Sequence, residues 1–210
     1  MKEIVLPPEL SKELSEIYQA MQEEYEQVAG QIPLTCAGCP DNCCDSYFQH
    51  HTYSEWAYLW EGLRKLDDVT LDLVTEQARE YLSLCKKALD AGKRPQIMCP
   101  LLDQEKGLCA LYQHRMLVCR MHGVPATLVR PDGQHIRFPG CFLCQEVVEK
   151  KYAEDSEAPA MDRTLLFRRL AALESRLMGE RRHLYPRVKK TIAEMIIEGP
   201  PSMTTPHCER

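Results

Sequence analysis

Cys36-Ala37-Gly38-Cys39-Pro40-Asp41-Asn42-Cys43-Cys44 decides how the rest of the chain is read, because it sets four thiols within nine residues. The opening pair has the C-x-x-C spacing, in which two thiolates one turn apart grip one metal ion. Gly38 permits the tight backbone, and Pro40 sends the chain onward. Cys43 and Cys44 are adjacent, and adjacent side chains in an extended or turn conformation point apart, so the two serve different positions. That geometry favours a multi-metal centre, or one ligand beside a thiol that does not bind.

Outward from this stretch the pattern continues. Cys99, Cys109 and Cys119 are evenly spaced, and Cys141-Phe142-Leu143-Cys144 repeats the C-x-x-C. Nine of the 11 cysteines therefore fall in spacings that suit a metal. A single cysteine reads equally well as a small buried hydrophobe, but packing does not explain the set. Cys85 lies on the apolar stripe of a helix and reads as core, and Cys208 reads as a free thiol in a tail.

The compartment sharpens this. The first residues, Met-Lys-Glu-Ile-Val-Leu-Pro-Pro, hold only three consecutive apolar side chains, too few for a signal-peptide core. No apolar run approaches the ~20 residues that cross a bilayer. The expected location is the cytoplasm, with no membrane partner, and there clustered thiols hold metal or do redox work rather than form disulfides. A chain of 210 residues, 44% hydrophobic and 27% charged, buries a core without staples.

The expected fold class is α+β, with an irregular cysteine-rich metal-binding core, short β-hairpins, and flanking N- and C-terminal helices. Pro7-Pro8-Glu9 opens a helix with Leu10, Leu14, Ile17, Met21, Tyr25 and Val28 at steps of three and four, closed by Gly30 and Pro33. Thr52-Tyr-Ser-Glu55 has capping-box spacing ahead of Trp56, Leu59, Trp60, Leu63 and Leu66. A further helix is expected from Thr70 to Leu89. Thr127–Val129 and His135–Phe138 flank Arg-Pro131-Asp132-Gly133-Gln as a hairpin. Ile97–Cys99 and Leu108–Leu111 are expected to pair across Asp103–Gly107. Lys151–Asp162 reads as a polar linker, with Asp162 capping a helix that Gly179 closes. A last helix is expected over Pro186–Ile197, and disorder from Gly199 onward. The segments are thus an N-terminal helix (1–33), a cysteine-cluster domain (34–147), a helical extension (148–198) and a disordered tail (199–210).

These residues resemble a known family. Cys36-x-x-Cys39-x-x-x-Cys43-Cys44, a Thr-x-x-Glu-started helix, Cys99-Pro-Leu-Leu, Gly-x-Cys109-x-x-Tyr112-x-x-Arg115 and Cys119-Arg120 are similar to the YkgJ-like CxxCxxCC cysteine-cluster family, a zinc- or iron-chelating domain. The likeness covers residues 34–145. The family spaces its second and third cysteines by two residues, where this chain has Pro40-Asp41-Asn42; it carries Arg-Pro where this chain has Arg115-Met116. The resemblance implies a metal centre, and it extends to the flagellin lysine methylases, in which an iron–sulfur cluster accompanies methyl transfer. It does not imply that activity here.

The ligand set is Cys36, Cys39, Cys43, Cys44, Cys99, Cys109, Cys119, Cys141 and Cys144. Eight of these would make two closed Cys₄ zinc sites, and nine also suit two iron–sulfur clusters, or one cluster and one zinc. The all-thiol set, the Cys99-Pro100 step and the iron association that the resemblance implies favour a 4Fe–4S cluster, with zinc as the alternative. His122 and His50 are zinc-ligand candidates that read more simply as exposed loop histidines. Arg115 and Arg120 stand near thiolates whose charge they would offset, and Tyr112 reads as a core aromatic bonded to the cluster loop.

Other chemistries lack support. No nucleotide-binding, serine-hydrolase or zincin motif is present, and the helical carboxylates read as solvated faces. The net charge of −5 argues against a nucleic-acid partner. The charge is uneven: 1–33 is acidic and 163–190 basic, which reads as two segments packed with their charges partly paired. No reaction is assigned from sequence. An iron–sulfur protein with redox or methyl-transfer chemistry, a zinc-stabilised module for a protein partner, and a metal or cluster carrier all remain in view.

Overall fold

In the computed structural model, which describes residues 2–35 and 43–203, most helices begin where the sequence supplies a cap. Cys36, Cys39 and Cys208 lie outside the described residues, and so does the expected disorder over 204–210. After strand β1 (Lys2–Glu3), helix α1 (Pro8–Gln31) opens on Pro7, whose carbonyl accepts the Leu10 and Ser11 N–H groups at 2.9 Å. Leu14, Ile17 and Met21 follow at helical spacing and are fully buried. Helix α2 (Tyr53–Leu63) is capped by Thr52, whose hydroxyl accepts the Glu55 N–H at 3.2 Å. Helix α3 (Asp68–Asp90) starts two residues earlier than expected because Asp67 caps it through the Thr70 N–H.

Strands β2 (Leu102–Asp103) and β3 (Leu108–Cys109) come next, then α4 (Leu117–Met121) and the hairpin of β4 (Ala126–Val129) with β5 (His135–Phe138). Helix α5 (Phe142–Lys151), strand β6 (Met161–Asp162), helices α6 (Thr164–Met178) and α7 (Ile192–Ile197), and strand β7 (Ser202–Met203) complete the order. The class is α+β. Among the described residues no helix is long and apolar enough to cross a membrane.

The chain divides into two compact units, each drawn from segments far apart in sequence. The first takes Met1–Ser11, Cys44–Leu117 and Glu174–Arg210; the second takes Lys12–Cys43 and Val118–Leu173.

The first unit is built on α2, α3 and α7. Its core joins Trp56, Leu59, Leu63, Val74, Ala78, Met195 and Ile196, the leucine, valine, isoleucine and methionine side chains each contributing roughly 1.5–3 kcal/mol on burial. Both tryptophans face the end of α7: Trp56 Nε1 donates to the Met195 and Gly199 carbonyls at 3.2 and 3.0 Å, and Trp60 Nε1 donates to Met195 at 2.9 Å. Helix α7 starts at Ile192, not Pro186, because the capping box of Thr191 and Glu194 sets its entrance. Just before it, Lys190 pairs main chain with His50. The chain beyond Gly199 is also structured at first: β7 pairs antiparallel with β1, and Ile4 N–H reaches the Pro201 carbonyl at 2.7 Å. A two-residue strand has no periodicity by which to be read.

In the second unit the β4–β5 hairpin turns at Gly133 (φ 83°), as expected from Pro131-Asp132-Gly133. Residues 151–162 are no free linker. Met161 is fully buried, and β6 adds a parallel strand to β4, so the sheet order is β5-β4-β6. Arg137 on β5 holds the preceding turn by donating to the Asp155 and Ala158 carbonyls at 2.6 and 2.8 Å. Asp162 then caps the start of α6, accepting the Thr164 N–H at 2.9 Å.

Candidate metal centre

Main-chain pairing decides which thiols share a neighbourhood. In the first unit, the Cys44 carbonyl accepts the Cys99 N–H at 2.8 Å, and the Asp45 carbonyl accepts the Ile97 N–H at 3.2 Å. Ser46 and Gln96 form an antiparallel bridge beside them. Ile97–Cys99 therefore pairs with 44–46, not with Leu108–Leu111 as expected. Pro100, lacking an N–H, ends that pairing. The Cys99 carbonyl then accepts the Leu102 N–H at 3.0 Å, and Leu102 stands opposite Cys109 in the β2–β3 pair. Asp103 caps the connecting turn through the Glu105 and Lys106 N–H groups. Cys44, Cys99 and Cys109 thus lie on successive paired segments of one unit, all half-buried.

Cys85 is a core residue of this unit, as its place on the α3 stripe implies. Burial pushes its thiol above the ordinary value, against a hydrogen bond with Tyr81 that lowers it.

In the second unit Cys119 lies in α4, Cys141 is the N-cap of α5, and Cys144 is in that helix's first turn. The Cys141 N–H donates to the Gly123 carbonyl at 3.0 Å. This approach depends on Gly140, at φ 86°, where an added Cβ would stand 2.5 Å from the Gly123 oxygen and 3.1 Å from Cys144 Sγ. The Gly140 carbonyl is held in turn by the Gln145 side-chain amide at 3.0 Å. Cys144 is fully buried. Burial, with lesser contributions from Cys141 and Asp155, pushes its thiol up to about 11.

The candidate cations rest on rings. Arg115 lies 5.1 Å over Tyr112 in the first unit, and Arg120 lies 4.8 Å over Tyr18 in the second. Tyr112 is 41% exposed and so is not the core aromatic expected. His122 is half-buried. His50, read as an exposed loop histidine, is 1% exposed, because its two main-chain bonds to Lys190 at 2.7 and 3.1 Å carry it into the first unit's interior.

Two carboxylates also depart from the solvated-face reading. Glu55 is buried, accepting the Leu117 N–H and the Thr52 hydroxyl, each at 2.9 Å, with His50 Nδ1 3.9 Å away. Burial works against its charge, but His50, the Leu117 N–H and Thr52 outweigh it and hold the carboxyl below the ordinary value. Glu174 accepts the Tyr53 and Ser54 N–H groups at 2.9 and 2.8 Å, satisfying the open donors at the start of α2. Its position four residues after Leu170, at the edge of the α6 apolar stripe, was the available signal.

Among the described residues, no group of three or more Cys, His, Asp or Glu side chains is arranged to hold a metal ion. What would suit one is the donor chemistry: soft sulfur atoms, those of Cys44, Cys99 and Cys109 on short, backbone-paired segments. Comparison with known proteins adds little. The chain matches no protein-family model and no solved structure. Over 91 residues it is 35% identical to a lysine–tRNA ligase of Methanocaldococcus jannaschii, a match spanning 40% of this chain and 15% of that protein's length.

Proposed function

We propose that the chain is a metal-binding protein whose clustered cysteines hold an iron–sulfur cluster, with zinc as the alternative. The observation that supports this reading is that main-chain pairing links the segments bearing Cys44, Cys99 and Cys109: the Cys44 carbonyl accepts the Cys99 N–H at 2.8 Å, and Leu102, which stands opposite Cys109, donates to the Cys99 carbonyl at 3.0 Å. Cys43, Cys119, Cys141 and Cys144 in the second unit, with Cys36 and Cys39 outside the described residues, would supply a further set. An iron–sulfur cluster would carry single electrons for redox or methyl-transfer chemistry, whereas zinc would serve as a closed structural site. Zinc would make the chain an interaction module for a protein partner; a labile centre would make it a carrier.

Anaerobic purification followed by iron, acid-labile sulfide and zinc analysis tests this. Brown protein with iron and sulfide is the expected result. Cys99→Ser and Cys119→Ser should lose most of the metal and Cys208→Ser should lose none. Colourless, zinc-loaded protein selects the interaction module, and transfer of the metal to an apo-acceptor selects the carrier. Protein without bound metal rejects the proposal.

A further inference from the structure

We infer that Arg163 supplies the positive charge that offsets a thiolate-bound metal centre in the second unit. The inference rests on the metal-binding reading and deepens it, adding a residue that the cysteine spacing does not nominate.

Arg163 joins β6 to α6. Its N–H donates to the Thr127 carbonyl at 2.9 Å, and its own carbonyl accepts the Phe167 N–H at 2.9 Å, so its backbone is held on both sides. The guanidinium carbon lies 5.0 Å from the centre of the Phe138 ring. Nη2 donates to the Met121 carbonyl at 2.6 Å, while Nε is buried with no partner. Among the described residues no carboxylate forms an ion pair with it, and Asp162, its neighbour in sequence, accepts the Thr164 N–H instead. Burial pulls its pKa down to about 10, with no carboxylate to hold it up, so the group keeps its charge at neutral pH. A guanidinium taken out of water is costly unless an anion meets it. One ring face and one carbonyl meet it only in part.

The place of that charge points to the anion. The carbonyl that holds Arg163 belongs to Met121, which ends α4 two residues after Cys119. Two residues further on, the Gly123 carbonyl accepts the Cys141 N–H at 3.0 Å. Gly140 closes on the same oxygen and on Cys144 Sγ. One short stretch, 119–123, therefore ties the guanidinium to the segments bearing Cys119, Cys141 and Cys144, all in the second unit. Thiolates bound to zinc or to an iron–sulfur cluster form a net anion in either case, and a fixed cation beside them strengthens metal retention and, for a cluster, favours uptake of an electron. Arg163 would act through the thiolates and touches no reacting atom, which makes it a positioning residue.

The test uses the full chain purified without oxygen, as wild type and as Arg163→Gln, Arg163→Met and Arg163→Lys. Arg163→Met keeps an unbranched apolar stem against Phe138 in case the glutamine variant does not fold, and circular dichroism reports the fold of each. Iron-loaded protein is read by its midpoint potential, and zinc-loaded protein by competition with a chelator. Loss of the charge should lower the potential by about 59 mV, which is tenfold in a one-electron equilibrium, or weaken zinc binding about tenfold. Arg163→Lys should stay within about twofold of the wild type on either scale. Folded glutamine and methionine variants that match the wild type overturn the inference. So does a lysine variant that falls as far as the glutamine one, because packing of the guanidinium and not its charge would then be responsible. Wild-type protein without metal overturns the metal reading and this inference with it. Metal-loaded wild type beside an unchanged Arg163→Gln overturns this inference alone.

Discussion

Glu55→Ala is expected to destabilise the first unit by about 3 kcal/mol, because it removes a buried acceptor and leaves its donors behind. The Leu117 N–H loses its 2.9 Å partner, the Thr52 hydroxyl loses another, and His50 loses the only carboxylate within 4 Å of its ring among the described residues. Glu55→Gln keeps the shape and an acceptor oxygen and should cost roughly half as much. Urea denaturation followed by circular dichroism reads both, and a loss below about 1 kcal/mol for the alanine variant would contradict the buried network. The pH dependence follows in sign. The folded carboxyl titrates below its ordinary value of 4.5, so its contribution is present above that pH and drains away as the pH falls through the lower, folded value. The alanine variant should show a flatter acid limb than the wild type.

Gly140→Ala should be nearly as damaging, for a reason that lies in the backbone. At φ 86° an alanine is strained before any contact is considered, and its Cβ would stand 2.5 Å from the Gly123 carbonyl oxygen. That oxygen is also the acceptor of the Cys141 N–H. The chain must open between 123 and 140, at a cost of roughly 3 kcal/mol. Amide hydrogen exchange should then accelerate at Cys141 and along the β4–β5 pair, with Cys144 becoming open to alkylation. Unchanged protection at Cys141 would mean that the two loops do not rely on their close approach.

These two sites differ in how far the chain announces them. Helices α1 and α2 were legible because their entrances are local, Pro7 and Pro8 for one and Thr52 with Glu55 for the other, whereas α3 was read from its apolar stripe and its Asp67 cap was missed. The β4–β5 hairpin was legible from its turn chemistry. Pairings set by distant chain were not. Ile97–Cys99 meets 44–46 across some fifty residues, and nothing in its own composition selects that partner over the nearer Leu108–Leu111. Strands β6 and β7 are two residues each, below any period. Glu174 looked like one more surface acid because its ligands are main-chain N–H groups at Tyr53 and Ser54, which a sequence pattern does not display. The nine-cysteine set is proposed from spacing alone. Among the described residues, the grouping of Cys44, Cys99 and Cys109 in the first unit depends on those same distant pairings.

The placement of the indoles gives the chain a built-in optical reporter with a restricted field of view. The protein has two tryptophans, and both donate their ring N–H to the same Met195 carbonyl at the close of α7. Tryptophan emission, excited beyond the tyrosine absorption band, is therefore a property of the α2–α7 contact in the first unit, shifting to the red when that contact opens and the rings meet water. The second unit has tyrosines but no indole and is dark under that selective excitation. A melting curve followed by emission describes one unit, while one followed by ellipticity at 222 nm sums both. Where the two curves part, the units unfold separately, and the thiols of each can be assigned to its own transition.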